Sequence, residues 1–407
     1  MATKRLINLR TVVRDHGEVF LSFYLGPGAR ENTDPADFRI LRREEPEFQF
    51  NRDDEEYFDE IPAAGAEVIF AGELALSSRY KVEYLDCTAK IGCTYCYWVS
   101  EAKDQALPVG PCVVKVRDRR VWQPYAEIQK RLSELGGQSV PPVEVEKVGE
   151  TAKHRQLDGL RLGNRERFVA LIGAVHAGES GPELIVAALE KLLKNDSDLL
   201  SQCGIAAFPA VNVDERERQV AGLPWYLRTN ANGVDLNRNF PADWETVEYG
   251  YGLVSSDPDS VTYRGPYAVS EMETQAVMHF LGDTRPLAVF SFHCLAGICS
   301  PWFITSRFSQ EDEAFVEKCR NLTAAYAQGY YGDGREPRLS HGASAGTLPH
   351  WMYRNGAVPC FDLEWDQDEK TRPCLSDQTT PEMIEECAEQ HYRGIREVLK
   401  TYAEIRE

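Results

Sequence analysis

The residues best placed to do chemistry are His176 and Glu179, three apart in the chain. The apolar run from Phe168 to Val175 predicts a buried strand of a parallel sheet, and it delivers His176 just as the chain turns. Open α/β sheets hold their ligands at the carboxyl ends of strands. One imidazole and one carboxylate make half of a metal site, and a catalytic zinc needs a third protein ligand plus an open position for water. A second apolar run, Leu287 to Phe292, ends in the same way at His293. The other histidines have poorer settings: His16 and His154 in loops, His279 and His391 on helices, His341 and His350 in a late loop. His176, Glu179 and His293 are therefore the candidate ligands of one Zn2+ ion, which would bring the pKa of a bound water to about 7 and polarise a carbonyl. On spacing alone, solvated or hydrogen-bonded loop histidines remain the alternative.

Between the two ligand segments, the stretch from Trp225 to Pro241 carries Arg228, Asn230, Asn232, Asn237, Arg238 and Asn239 around Gly233. A guanidinium offers a planar fork to a carboxylate, and an amide adds a neutral donor. A second guanidinium can face the oxygen that turns negative in a tetrahedral intermediate. The same residues would equally make a surface loop with helix-capping Asn and Asp. Near the C-terminus, Phe361 and Leu363 alternate with Asp362 and Glu364, so one strand should present both carboxylates on one side. A carboxylate so placed can take a proton from zinc-bound water and later deliver it to a leaving amine.

These side chains need a scaffold that gathers strand ends, and the pattern from Trp122 onward supplies one. Pro124 to Gly137 predicts a helix with a glycine stop, and Pro182 to Leu193 a helix with Ser180 or Gly181 as N-cap. Ser270 to Leu281 predicts a third, opened by a capping box from Ser270 to Glu273. Strands are expected at 143–148, 168–175, 204–211 and 287–292. The alternation predicts one α/β domain over 119–407, a mixed, largely parallel sheet flanked by helices. Residues 1–118 read instead as an all-β domain, with short apolar-aromatic runs between Gly and Pro turns, as in an immunoglobulin-like sandwich. Within it, the acidic cluster at 53–60 reads as a solvated loop. Cys93 and Cys96, with Cys87 and Cys112, read either as half of a structural zinc site or as small buried hydrophobes.

A formal charge of −19 over 407 residues argues against nucleic acid or an anionic membrane as partner. No apolar run approaches transmembrane length, and the first ten residues lack the apolar core of a signal peptide. Eleven cysteines, an odd number without a scaffold-like pattern, suit a reducing compartment, so a cytoplasmic protein is expected.

From about Trp122 to the C-terminus the chain resembles the zinc carboxypeptidase superfamily. The motifs come in family order: His176-x-x-Glu179, Gly233 to Phe240, Tyr263-Arg264-Gly265-Pro266 leading to Ser270-Glu271-x-Glu273-Thr274, Ser291-Phe292-His293, and Phe361 to Glu364. The resemblance implies a carboxypeptidase-like fold and a metallopeptidase, with His176, Glu179 and His293 on zinc. Arg228 would polarise the scissile carbonyl, Asn237 and Arg238 would bind a terminal carboxylate, and Glu364 would serve as general base and acid. His341 stands where the family usually has a loop tyrosine, with Tyr330 or Tyr331 as the alternative. Asp362 would look into the pocket of the released residue and favour a basic side chain.

The expected partner is thus a peptide or polypeptide with a free carboxylate. The β-domain-first layout is similar to that of the cytosolic carboxypeptidases. The wording from Arg228 to Pro241 is closer to murein peptide amidases, which cut γ-D-glutamyl-diaminopimelate links, and this is the alternative enzyme reading. A catalytically silent peptide-binding protein and an amidohydrolase of N-acyl amino acids complete the set. Cys294 and Cys299, close after His293, are candidates for oxidation sensitivity.

Overall fold

The computed structural model describes residues 6–26, 37–45, 61–102, 108–137, 140–179, 181–246, 253–282, 285–293, 301–364 and 379–404. The acidic stretch 53–60, Ser180, Cys294 and Cys299 lie outside the described residues. The chain divides into two compact units, Met1–Trp122 with Arg218–Tyr226, and Gln123–Glu217 with Leu227–Glu407.

The first unit is built from β1 (Leu6–Val13), β2 (Val19–Leu25), β3 (Asp37–Glu44), β4 (Glu67–Glu73), β5 (Lys81–Asp86), β6 (Thr94–Glu101) and β7 (Val109–Lys115). They form two antiparallel sheets, ordered β1-β2-β5 and β4-β3-β6-β7. Strand alternation sends Val19, Leu21 and Phe23 to one side, where they share a core with Phe38, Ile40, Tyr97 and Val99 of the other sheet. Cys96 and Trp98 point the opposite way, into a smaller cluster with Leu41 and Ile61. Cys93 packs against the first core, and Cys112 Sγ lies 3.2 Å from Thr11 Oγ1. The cysteines therefore do not gather around a common point, and Cys96 serves as a small buried hydrophobe. Arg218–Tyr226 joins this unit through main-chain bonds from Val13 N to Ala221 O and from Lys115 N to Gly222 O, at 2.9 and 2.8 Å. The Arg117 guanidinium adds bonds to the carbonyls of Gln219, Leu223 and Pro224.

The second unit contains α1 (Tyr125–Leu135), β8 (Val143–Glu150), β9 (Gln156–Leu162), β10 (Phe168–Gly173), α2 (Pro182–Asn195), α3 (Ser197–Gln202), β11 (Gly204–Phe208) and α4 (Val213–Val220), the last three residues of which belong to the first unit. It continues with α5 (Met272–Gly282), β12 (Ala288–Phe292), β13 (Trp302–Ser306), α6 (Glu313–Tyr331), β14 (Arg338–Ala343), α7 (Leu348–Arg354), β15 (Cys360–Glu364) and α8 (Pro381–Glu404). The eight-stranded sheet runs β14-β13-β15-β12-β10-β11-β9-β8. Its centre, β15-β12-β10-β11, is parallel, while β9, β8 and the β13–β15 junction are antiparallel. The sheet is mixed and flanked by helices, as the sequence implies.

Register decides what each face does. Phe290 pairs with Phe361 across β12 and β15, and both rings meet Phe303 and lie on the side of Tyr326 of α6. The alternate row, Ile172, Ser291 and Asp362, faces the opposite side, where Phe208 packs on Phe280 of α5. Helices α1 and α2 start and stop near the expected residues, with Gly136 and Gly181 at their ends. The capping box expected at α5 does not form. Ser270 Oγ donates to Glu271 Oε1, and Glu273 Oε1 instead accepts from Ala152 N at 3.0 Å. One strand, β14, falls in a stretch expected to be loop, and β9 and β13 are further strands for which the sequence pattern carries no expectation. Among the described residues no helix is long and apolar enough to cross a membrane.

The aromatic layer under β12, β13 and β15 carries the strands that end at His293 and Glu364. Phe290→Ala should remove its central ring and cost about 3–5 kcal/mol. Urea unfolding monitored by circular dichroism reads this directly, and a loss below about 1 kcal/mol would mean that the layer repacks around the gap.

Candidate metal centre and active site

His176 and Glu179 sit in the tight turn between β10 and α2. Asn212 N binds Ala174 O at 2.9 Å and Gly178 N binds Leu227 O at 2.9 Å, and Ala174 adopts a left-handed φ of 49°. His293 follows β12, its N–H bound to Leu363 O at 2.9 Å. All three side chains are buried. His176 Nδ1 lies 2.9 Å from Glu179 Oε2, His293 Nδ1 lies 2.8 Å from the same oxygen, and the two Nδ1 atoms are 3.3 Å apart. Among the described residues this is the one group of three or more His, Cys, Asp or Glu compact enough to hold an ion.

The donor set fits zinc. Two imidazole nitrogens and a carboxylate oxygen are the ligand types it takes, and atoms near 3 Å apart suit bonds of about 2.0–2.2 Å from one centre. The far side of each ring supports the same reading. His176 Nε2 lies 3.0 Å from Asp235 Oδ1. His293 Nε2 lies 3.0 Å from Ser291 Oγ, with Asp362 Oδ1 at ion-pair distance, 3.2 Å. A carboxylate behind a ring places the proton on Nε2 and leaves the Nδ1 lone pair facing inward.

Asp235 is the hub of this arrangement. Its Oδ1 also accepts from Asn237 N at 2.9 Å, and its Oδ2 accepts from Arg228 Nε at 2.8 Å. Burial opposes ionisation, yet the charges of Arg228 and His176 hold the carboxyl well below the usual range. Glu179 behaves alike, with burial overcome by His176 and His293. Glu364 goes the other way. Burial first, then the Glu179 charge, push it up to about 8, with His293 and Arg228 offsetting part of the rise. A cation between the ligands would counter the Glu179 contribution.

The loop bearing Arg228 is held from below. Asn230 Oδ1 accepts from Asn232 N and Val234 N, and its Nδ2 donates to Glu271 Oε2 at 2.7 Å and Glu273 Oε2 at 3.2 Å. Asn239 Nδ2 donates to the carbonyls of Arg264 and Tyr267, and Asp235 N to Tyr263 O. The motifs from Tyr263 to Thr274 are thus the footing of this loop. Asn237 Nδ2 donates to Asp362 Oδ2 at 2.9 Å and its Oδ1 accepts from Leu348 N at 2.9 Å. Arg238 is buried beside it, its Nη1 donating to Asn237 O at 2.6 Å, and burial lowers its pKa against the pull of Asp235.

Two expectations need correction. His341 is on strand β14, not in a loop, and pairs with Thr305, one residue out of step with the Ile304–Ser340 row that lies beside Asp362. Alternation therefore turns it from Glu364, and its Nδ1 lies 3.1 Å from Ser309 Oγ. Tyr330 offers no replacement, being buried against His391. Asp362 is not free to serve a substrate side chain alone, since it lies behind His293 and accepts from Asn237. Asp235 and Ser291 were missed as partners of the ligands; a carboxylate two residues before Asn237 was the available signal, since ligating histidines need such a partner.

Asp235→Asn should weaken zinc binding about 10–100-fold, because His176 loses the anion that fixes its ring. Competition with a chromophoric chelator measures this, and unchanged affinity would show that the ring is held without Asp235.

A family model described as zinc carboxypeptidase matches residues 130–393. The chain is 46% identical over 70 residues to murein peptide amidase A of Escherichia coli (strain K12), a match covering 16% of this chain and 29% of the amidase. It is 26% identical over 269 residues to carboxypeptidase A6 of Homo sapiens, covering 60% of each. These matches span less than two thirds of either relative. The crystal structure of carboxypeptidase A from Helicoverpa armigera superposes with a TM-score of 0.58 at 15% identity, covering 90% of this chain and 97% of that one, a likeness of fold.

Proposed function

This chain belongs to the zinc carboxypeptidase family, and from that premise we propose that it hydrolyses an amide bond next to a residue bearing a free carboxylate, as a zinc metallopeptidase. The convergence of His176, Glu179 and His293 at the edge of the sheet where β15 ends at Glu364 is the observation that carries the reading. Zinc held by His176 Nδ1, His293 Nδ1 and Glu179 would polarise the scissile carbonyl and acidify a water. Glu364 takes a proton from the attacking water as its oxygen bonds to the carbonyl carbon. It returns that proton to the nitrogen as the C–N bond breaks, so the amine leaves neutral. A pKa near neutrality suits both halves of this exchange. Arg228, held by Asp235, faces the developing oxyanion. Asn237 and Arg238 supply amide and guanidinium donors for the substrate carboxylate.

Which bond is cut has two candidates. Removal of a single C-terminal residue is the leading one. The alternative, cleavage of a γ-D-glutamyl-diaminopimelate link, is favoured by the 46% identity to murein peptide amidase A. A cytoplasmic setting goes with either, and the free state of all eight described cysteines supports it.

A mass-spectrometric panel decides between them, using zinc-loaded protein and peptides ending in Lys, Arg, Phe or Glu, γ-glutamyl-diaminopimelate peptides, and N-acyl amino acids. Glu364→Gln should keep zinc and lose about 10²–10⁴-fold in kcat. Chelation should abolish turnover and zinc should restore it. Release of single C-terminal residues supports the carboxypeptidase, and cleavage of γ-links alone supports the amidase. No cleavage by the zinc-bound protein would overturn the enzymatic reading.

A further inference from the structure

Behind the His176–Glu179 turn lies a second buried ionic contact. Arg216 on α4 and Glu183 in the first turn of α2 are 3% and 2% exposed. Arg216 Nη2 donates to Glu183 Oε1, which also accepts from Gln123 N at 2.8 Å. Arg216 Nη1 donates to Glu179 O at 2.8 Å and reaches Ala177 O at 3.4 Å. One guanidinium thus spans the main chain of the ligand turn and the helix that follows it. We propose that Arg216, anchored by Glu183, is a positioning residue that fixes this turn so that His176 and Glu179 meet His293; the proposal rests on the zinc reading above.

Ala177 and Glu179 are buried, and their carbonyls must find donors there. Among the described residues, main-chain bonds such as Gly178 N to Leu227 O tie the turn to other segments. A guanidinium carries several donors in one rigid plane, so it can reach two carbonyls and a carboxylate at once, where a lysine ammonium is a single point. A buried Arg–Glu pair is a weak source of net stability, because desolvation offsets the attraction. Placement is what remains for it to supply. Glu179 Oε2 lies within 3 Å of both ring nitrogens, and a metal site tolerates deviations of only about 0.2 Å, so a small rotation of the Glu179 main chain would reach the metal.

The test measures zinc affinity of the full chain by competition with a chromophoric chelator, alongside thermal melts of the metal-free proteins. The variants are Arg216→Met, Arg216→Lys and the double variant Arg216→Met with Glu183→Gln. We expect zinc binding about 10–100-fold weaker in Arg216→Met and in the double variant, with partial recovery in Arg216→Lys. Should Arg216→Met fail to fold with Glu183 left unpaired, the double variant decides, since it removes both charges. Should that fail too, Arg216→Lys decides, because it keeps the charge and loses the fork. A folded deciding variant that binds zinc within twofold of wild type overturns the proposal. A wild-type chain that takes up no zinc overturns the zinc reading itself, and the brace with it.

Discussion

Asp235 is completely buried and still ionised, and the geometry of the centre depends on how its charge is compensated. A buried carboxylate without partners would take up a proton instead. Here one oxygen is shared by the His176 ring and the Asn237 N–H, and the other holds Arg228. A single anion therefore sets a ligand ring, a guanidinium and the start of the Asn237–Arg238 turn relative to one another. Displacing it would disturb all three together, which makes the site a unit instead of a list of residues.

The charges around this anion point the same way. Glu179, Asp235, Asp362 and Glu364 bring four carboxylates, while Arg228 and Arg238 bring two guanidiniums. The carboxyl groups outnumber the guanidiniums by two, and a divalent cation at the ligands would offset that imbalance. The imbalance falls on Glu364, which burial and Glu179 push up to about 8. It also shows in His293, where burial is overcome by Asp362 and Glu179 and the ring is held well above its usual pKa. A cation bound by the ligands would oppose both shifts, since such ligands must deprotonate to bind one.

Much of this was legible because apolar runs announce buried strands, and strands of a parallel sheet end where ligands sit. The runs before His176 and His293 gave β10 and β12, and the Phe361–Glu364 alternation gave β15. The strands at one edge of the sheet, β13 and β14, were not legible. Arg338–Ala343 is polar and short, and becomes a strand only by pairing with β13, a partner some thirty-six residues earlier. His341 was misplaced for that reason, since a residue in a loop is free to turn toward substrate and one in a strand is not. The attachment of Arg218–Tyr226 to the first unit was equally hidden, because it rests on Arg117 reaching carbonyls about a hundred residues away.

Asp362 shows how a correct local inference can miss a role. Alternation does place Asp362 and Glu364 on one side of β15, but two residues apart means about 6–7 Å along the strand. Glu364 stands at the rim, at the end of the strand. Asp362 stands one step back, opposite Ser291, where the nearest polar groups are the His293 ring and the Asn237 amide. An acid in that row meets the His293 ring and the Asn237 amide before it can meet a group from outside the protein.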